Sequence, residues 1–432
     1  MSDLNLYEKC FVELEEYPFD RFKEKIPNEL FIRGLCVKNE NTLLFKCTGF
    51  IVFQNYIFVV FPKGYVIPQE EKSLKKHIRL LIDVLTKYSH NSKLDPSESS
   101  LLGSTGKNAA YIAAAFWLIR DYFENGTINF QRQDYDLNKS TNINWSRTIK
   151  SINPVISNQR PIYLDLVTKK HILYDHLITQ IHKYAVEQSL NLYGWLFDYD
   201  GEHMMEYDLP CDVDAAVYIL ELEAQRTFQE RKLNLFLNLK EFIIGSHTQS
   251  KDSITTIVTP YFHTVWEKIC YSLFADVNDK SMPKLPNPYW NVGNRMAKTE
   301  QIPDIMFRIN NRLFILDAKY YRIKHAPLKL PGWGDLVKQF FYRHTLIKNK
   351  EDKIENIFLF PGQTNEDIEY LGFAAVDGIS NLGQINGFII DVFKAMESYA
   401  NNSQSGFKEK LLRFYLSNSE QLQSDSTNPY EK

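Results

Sequence analysis

A chain of 432 residues, with 44% hydrophobic and 14% aromatic residues, is too long for one compact core and predicts two or three domains. Its five cysteines are scattered without paired spacing, which argues against a disulfide framework or a zinc site. The net charge is −3, and no apolar run approaches the roughly 18 residues of a membrane span. These features predict a cytoplasmic protein that does not bind membranes.

Residues 1–100 predict an N-terminal α+β module. Its β-prone runs lie at residues 30–37, 43–53 and 56–61, and they are separated by turns rich in asparagine and lysine. A helix is predicted over residues 70–88.

Residues 101–250 predict a mainly helical module, with helices at residues 108–125, 173–192 and 212–244. Between the first two, a short helix and a hairpin-like element form a pattern similar to a winged helix. Arg147, Lys150 and Arg160 in this element are candidate DNA contacts. The alternative is that these charged side chains only keep the surface of a connecting module hydrated and contact no DNA.

A β-hairpin is predicted further along the chain. Residues 304–309 and 312–319 are β-prone runs joined by Asn310 and Asn311. Asparagine tolerates the left-handed backbone angles that a two-residue hairpin turn requires. If these two residues form the turn, paired residues have numbers that sum to 621.

That register brings charged side chains together. Asp304 lies opposite Asp317, and Lys319 projects on the same face because side chains alternate along a strand. Two opposed carboxylates repel each other and favour a nearby cation or a shared proton. Few carboxylates, with room left for water and phosphate, are typical of a magnesium site that could include the Ala318 carbonyl. The alternative is an ordinary charged surface hairpin.

Two predicted helices flank the hairpin. The upstream helix places Glu267 at the border of its buried stripe. The downstream helix, with Asp335 as its N-cap, presents Gln339, Tyr342 and Arg343 on one face. As a functional site, Gln339 would order the acids and Arg343 would meet phosphate. The alternative is an ordinary solvated or salt-bridged helix face.

Basic charge is concentrated around these acids. Residues 280–353 contain 15 Lys and Arg against 6 Asp and Glu, although the whole chain is slightly acidic. Such a segment suits a phosphate backbone, and Lys338 within it is a further candidate DNA contact. A basic surface without a ligand is the alternative.

Residues 251–415 therefore predict an α/β core, a central mixed sheet flanked by helices, in a chain that is α+β overall. Further strands are predicted at residues 354–361 and 371–377, and a last strand and helix follow at residues 385–400. The polar residues 416–432 predict a disordered tail.

The order of these elements resembles the PD-(D/E)xK nuclease superfamily: a helix with Glu267, strands carrying Asp304 and the pair Asp317 and Lys319, then a helix with Gln339. The segment INWSRTIKSINPVISNQRPIYLDLV, together with VWEKICYSLF and LDAKYY, is similar to the LlaJI family of restriction endonucleases. That family is related to the McrC nuclease subunits.

The resemblance implies a Mg²⁺-dependent endonuclease, type II-like, that cuts double-stranded DNA in a prokaryotic anti-phage restriction system, with Mn²⁺ as a substitute ion. It assigns Asp304, Asp317 and Glu267 to the metal, with Lys319 and Gln339 as further catalytic residues. A homodimer is one expectation for the assembly. The alternative is an McrC-like subunit that acts only with a separate McrB-like AAA+ GTPase, since this chain has no nucleotide-binding motif. A non-catalytic DNA-binding module is a third hypothesis.

Overall fold

The computed structural model describes residues 6–22, 26–53, 56–94, 96–102, 107–139, 141–174, 176–199, 206–248, 254–275, 282–293, 295–309, 311–323, 330–347, 353–403 and 406–417. The chain forms two compact units. The larger unit contains Met1–Ala109 and Ser250–Lys432, and the smaller unit contains Ala110–Gln249.

The helices of the described residues alternate with short strands. The α-helices are α1 (Asn28–Ile32), α2 (Glu71–Asn91), α3 (Pro96–Leu102), α4 (Lys107–Asn125), α5 (Trp145–Ser151), α6 (Leu177–Tyr193), α7 (Val213–Arg226), α8 (Glu230–Thr248), α9 (Phe262–Phe274), α10 (Trp333–Ile347), α11 (Val392–Ala400) and α12 (Phe407–Ser417). None of these helices, within the described residues, has the length and apolar character needed to cross a membrane.

The strands are β1 (Cys10–Val12), β2 (Tyr17–Pro18), β3 (Cys36–Asn39), β4 (Thr42–Phe45), β5 (Thr48–Phe53), β6 (Tyr56–Phe61), β7 (Phe130–Leu137), β8 (Val155–Ser157), β9 (Arg160–Ile162), β10 (Val167–Tyr174), β11 (Ile254–Thr259), β12 (Tyr289–Val292), β13 (Arg295–Lys298), β14 (Ile305–Ile309), β15 (Arg312–Ala318), β16 (Lys353–Gly362), β17 (Ile368–Ala374) and β18 (Ile385–Asp391).

The N-terminal part of the larger unit contains a four-stranded sheet, in the order β1-β6-β5-β11, and a three-stranded sheet, in the order β2-β4-β3. β11 pairs antiparallel with β5, from Ile254 opposite Phe53 to Thr259 opposite Thr48. The segments predicted as separate modules, residues 1–100 and 251–415, therefore share a sheet. The structure differs from the predicted division in this respect, because a long-range strand pairing joins the two segments.

Two local predictions also differ from the structure. The run at residues 30–37, predicted as a strand, begins inside α1, and its strand β3 starts only after Gly34, where φ is +69°. The helix predicted over residues 212–244 is divided into α7 and α8. Between them, the Thr227 hydroxyl accepts a hydrogen bond from the Gln229 backbone N–H at 3.3 Å, and such local bonding competes with helix continuation.

The second large sheet of this unit has the order β14-β15-β16-β18-β17. β15, β16 and β18 run parallel, and the edge strands β14 and β17 are antiparallel to their neighbours. On one face, Leu313 and Ile315 pack in a buried cluster with Tyr342 of α10. The opposite face stacks Phe307 on Phe274 of α9, with ring centroids 6.0 Å apart. The predicted mixed sheet flanked by helices is confirmed, and burial of both faces explains its nearly continuous apolar strands.

The smaller unit combines helices with two hairpin-like pairs. β7 pairs antiparallel with β10, and α5 and the β8–β9 hairpin lie between them in the chain. The helix predicted from residue 173 begins at Leu177, because β10 extends to Tyr174. All six residues of β8 and β9 are exposed. The likeness to a winged helix stays a prediction. Residues 418–432, most of the predicted tail, lie outside the described residues.

Candidate active site

The β14–β15 hairpin has the predicted register. Its pairs run from Ile305 opposite Leu316 to Ile309 opposite Arg312, so that the residue numbers sum to 621. Asn311 has φ +57°, in the left-handed region that the turn requires, while Asn310 lies outside the described residues. Asp304 directly precedes β14. Continuing the register by one residue beyond the pair of Ile305 and Leu316 places Asp304 beside Asp317 of β15.

Asp304 and Asp317 influence each other through their charges. An Asp304 carboxylate oxygen, Oδ2, accepts a hydrogen bond from the Ala318 backbone N–H at 3.0 Å. Burial and the neighbouring Asp317 carboxylate raise the pKa of Asp304 to about 6, against the opposing effect of that N–H group. The Asp304 carboxyl therefore takes up a proton more readily than an exposed aspartate does.

Asp317 is buried, with 1% of its surface exposed, and two ammonium groups offset its charge. Lys319 Nζ lies 2.6 Å from Asp317 Oδ2, and Lys338 Nζ lies 3.4 Å from Oδ1. The shorter of the two contacts places the Lys319 ammonium directly against Oδ2. The structure therefore brings Lys338, predicted as a DNA contact, to the carboxylates.

Lys319 is oriented by a second acid that sequence reasoning missed. Its Nζ donates to Asp335 Oδ1 at 2.7 Å, and the Tyr321 hydroxyl donates to Asp335 Oδ2 at 3.2 Å. Burial alone would lower the pKa of Lys319, but the ion pairs with Asp317 and Asp335 raise it above its ordinary value. Lys319 is therefore protonated and cannot act as a general base.

The predicted role of Asp335 as an N-cap is wrong. α10 already begins at Trp333, and Asp335 lies in its first turn, where a negative charge is favourable to the helix dipole. One feature of the sequence could have identified Asp335. It is an acidic residue at the start of the helix that follows Lys319, and the Lys319 ammonium requires an acidic partner when it is buried.

The strand end that carries Lys319 is fixed to the N-terminal sheets. The Tyr320 hydroxyl donates to the Glu13 carboxylate and accepts from the Lys63 backbone N–H at 2.8 Å. Two residues further, Arg322 forms an ion pair with Glu15 at 2.7 Å. These contacts join segments far apart in the chain and carried no recognisable sequence signal.

Glu267 lies on α9 with an exposed side chain. Partial burial, followed by the charge of Asp317, raises the pKa of Glu267, so that it is within electrostatic reach of the acids. Across the described ranges, however, no group of three His, Cys, Asp or Glu side chains is arranged to hold a metal ion. The structure thus does not bring Glu267 into a three-acid cluster with Asp304 and Asp317.

Gln339 is buried and connects α10 to the strand that carries Asp317. Its side-chain Nε2 donates to the Ile315 carbonyl at 3.1 Å, and its backbone carbonyl accepts from Asn356 Nδ2 at 3.1 Å. The Tyr342 hydroxyl, one turn later, donates to the Ile302 carbonyl at 3.2 Å. The two bonds of Gln339 connect α10 to β15 and β16, and the catalytic role of Gln339 stays a prediction.

Arg343 is not brought to the carboxylates. Its Nη1 donates to the Leu382 carbonyl at 2.8 Å. The guanidinium packs so closely against Gly383, where φ is +70°, that a Cβ there would lie 2.7 Å from it. These contacts give Arg343 a role in holding the turn before β18.

Arg147, Lys150 and Arg160 belong to the smaller unit, and all three are exposed. The Arg147 guanidinium lies 3.6 Å from the ring centroid of Tyr135, a cation–π contact. Lys150 lies on α5, and Arg160 begins β9. The three residues thus lie on two elements that are close in the chain, and their role as DNA contacts stays a prediction.

The donor set at the acids is suited to a hard divalent cation. It consists of carboxylate oxygens of Asp304 and Asp317, beside the backbone of Ala318. Mg²⁺ binds to one or two carboxylates and retains several waters, so a set this small fits it.

The chain belongs to the LlaJI restriction endonuclease family, whose family model matches residues 47–393. It is therefore a nuclease of a restriction system, and the family expected from the sequence is confirmed. The Bacillus subtilis (strain 168) protein named Type II restriction enzyme BsuMI component YdjA is 27% identical over 406 residues, which cover 85% of this chain and 86% of that protein.

Among solved structures, the chain is similar to a chain of a half-complex from the tetradecameric assembly of Thermococcus gammatolerans McrB AAA+ hexamers with bound McrC. The TM-score is 0.39 at 13% identity, with 91% of this chain and 98% of that chain covered. A chain of the McrBC complex of the same organism gives a TM-score of 0.27 at 13% identity, with coverage of 60% and 84%.

Proposed function

We propose that this protein is a type II-like restriction endonuclease of the prokaryotic cytoplasm that hydrolyses phosphodiester bonds of double-stranded DNA with Mg²⁺, or with Mn²⁺ in its place. The observation that supports this proposal most is the pair of charge-coupled acids, Asp304 and Asp317, beside the protonated Lys319. Membership of a restriction endonuclease family supplies the substrate class.

In this proposal, Asp304, Asp317 and the Ala318 carbonyl would hold the metal ion. A divalent ion at this position lowers the pKa of bound water and neutralises charge on the phosphate. Lys319, held by Asp335, donates hydrogen bonds to the attacking water or to developing negative charge. Lys338 Nζ lies 3.4 Å from Asp317 and offers a second positive charge to the phosphate.

Two weaker assignments follow from the same arrangement. Glu267, whose pKa is raised by partial burial and then by the Asp317 charge, would contribute to a second metal position when DNA is bound. Gln339 acts through its hydrogen bond to the Ile315 carbonyl, which keeps α10 and its Lys338 at a fixed distance from β15.

We further propose that the smaller unit contacts DNA through Arg147, Lys150 and Arg160. Their exposure supports this assignment, and so does the placement of Arg147 over an aromatic ring, which holds its guanidinium in position. Phosphate contacts of this kind position a duplex without reading its sequence. A homodimer would present two such sites to the two strands.

A second candidate function is that of a subunit that cuts only in complex with a separate McrB-like GTPase. The observation that favours it is the name of the Bacillus subtilis relative, which describes that protein as a component of a restriction enzyme.

Incubation of the purified chain with unmethylated plasmid and Mg²⁺ separates the two candidates. We expect cleavage by the chain alone, and its loss in Asp317→Asn with the fold retained by circular dichroism. Cleavage that begins only when a GTPase component and GTP are added would favour the second candidate. Wild-type cleavage by the Asp317→Asn variant would remove the proposed site.

A further inference from the structure

A two-stranded antiparallel ribbon, β12 with β13, directly precedes the hairpin that carries the acids. Tyr289 lies opposite Lys298 and Trp290 opposite Ala297. All four residues of β12 are exposed, including Trp290 at 71%. Adjacent apolar side chains this exposed mark an interaction surface on a soluble protein.

The base of the ribbon is closed by three hydrogen bonds. The Thr299 backbone N–H donates to the Pro288 carbonyl at 2.9 Å. Gln301 connects the two chain segments below the strands. Its backbone N–H donates to Asn287 Oδ1 at 3.3 Å, and its Nε2 donates to the Pro286 carbonyl at 2.6 Å. The ribbon thus projects from a fixed base.

That base is attached to the face of the sheet that carries the candidate active site. Leu285, before the ribbon, is buried in the same cluster as Ile315 of β15. After the ribbon, the Ile302 carbonyl accepts from the Tyr342 hydroxyl of α10 at 3.2 Å, and Asp304 follows two residues later. The position of the ribbon is therefore coupled to the position of the acids.

The two faces of the ribbon differ in chemistry because side chains alternate along each strand. One face carries hydrogen-bonding groups, those of Tyr289, Asn291 and Lys298, together with Met296. The asparagine amide is the group that pairs with the edge of adenine, and a lysine ammonium pairs with guanine. Neither Asn291 nor Lys298 has an ion pair or side-chain hydrogen bond to the described part of the chain.

We propose that this ribbon enters the major groove of the duplex that the acids cut and reads base edges with its polar face. The inference rests on the proposed DNA cleavage. Two strands about 4.8 Å apart, with their side chains, match a groove about 12 Å wide, and four residues extend about 13 Å from the base. The ribbon sequence, residues 289–298, contains two basic residues, Arg295 and Lys298, and no acidic residue, which is complementary to DNA and not to a neutral protein surface.

The test measures DNA binding by the full chain in an Asp317→Asn background, with a fluorescein-labelled duplex of mixed sequence and with plasmid fragments. The test variant is the double substitution Asn291→Ala with Lys298→Ala. Tyr218→Ala, which removes an aromatic side chain of 66% exposure in the smaller unit, is the control. Thermal unfolding confirms that each variant is folded.

We expect the double variant to bind about tenfold more weakly and to lose protection of guanine N7, the major-groove atom, from dimethyl sulfate. The control should bind as the parent does. Parent-like binding and protection by the double variant would overturn the proposal, and so would a defect confined to capture of a second protein component. Cleavage by the wild-type chain is measured in a separate assay. If the protein binds DNA through the ribbon but the wild-type chain does not cut, only the proposed nuclease function is refuted.

Discussion

Asp304→Asn should stabilise the folded protein in metal-free buffer at the same time as it abolishes cleavage. In the wild-type protein, Asp304 is charged above about pH 6 although it is partly buried and lies beside Asp317. Asparagine removes that charge and keeps a carbonyl oxygen that can accept the hydrogen bond from the Ala318 N–H group. The site therefore has a cost in stability that a bound cation offsets.

The magnitude follows from the pKa of Asp304. A rise from 3.8 to about 6 corresponds to about 3 kcal/mol, at about 1.4 kcal/mol for each pKa unit. Because the carboxyl is partly exposed, solvent screening reduces this, and we expect about 1–2 kcal/mol. The folded-state pKa is raised, so the cost is fully present above pH 6, declines as the pH falls through 6, and is absent below 3.8.

Urea unfolding in EDTA at pH 8 and at pH 4, followed by tryptophan fluorescence, measures this difference. Trp266 is buried in the unit that contains the site and serves as a reporter. Glu300→Gln, which removes an exposed acid of the same unit, should change neither value. The reasoning is refuted if Asp304→Asn is no more stable than wild type at pH 8, or if its advantage is equal at both pH values.

Three further outcomes follow from the same contacts. The affinity for Mg²⁺, measured by calorimetry, should fall as the pH is lowered through 6, because Asp304 then takes up a proton; a pH-independent affinity would contradict this. Tyr320→Phe should destabilise the protein by about 1–2 kcal/mol in urea, since it leaves the buried Glu13 with the Thr48 hydroxyl at 3.2 Å and takes the acceptor from the Lys63 N–H group; an unchanged midpoint would show that these bonds contribute nothing. Gln339→Leu should lower the cleavage rate with little change in Mg²⁺ affinity, and Gln339→Glu should not restore it, because a carboxylate cannot donate to the Ile315 carbonyl.

The hairpin could be predicted because its signals are local. The turn residues and the alternation of apolar side chains fix the register of β14 and β15, and the register places Asp304 beside Asp317. The mixed sheet and its flanking helices follow from strands buried on both faces, which appear as continuous apolar runs.

The rest of the site depends on contacts between distant segments. Asp335 reaches Lys319 only because α10 packs on the sheet, and Glu13 reaches Tyr320 only because the N-terminal sheet lies against the end of β15. Helical spacing alone placed Arg343 on the same face as Gln339, and tertiary packing then directed it to the Leu382 carbonyl. One sequence carries no periodic signal for such pairs.

Calorimetric titration of the full chain with Mn²⁺, without DNA, tests most directly whether the two acids form a metal site. We predict saturable binding by the wild-type chain, its loss in Asp317→Asn, and its retention in Arg343→Ala, which removes a basic residue held away from the acids. Equal binding by the Asp317→Asn variant would contradict the account.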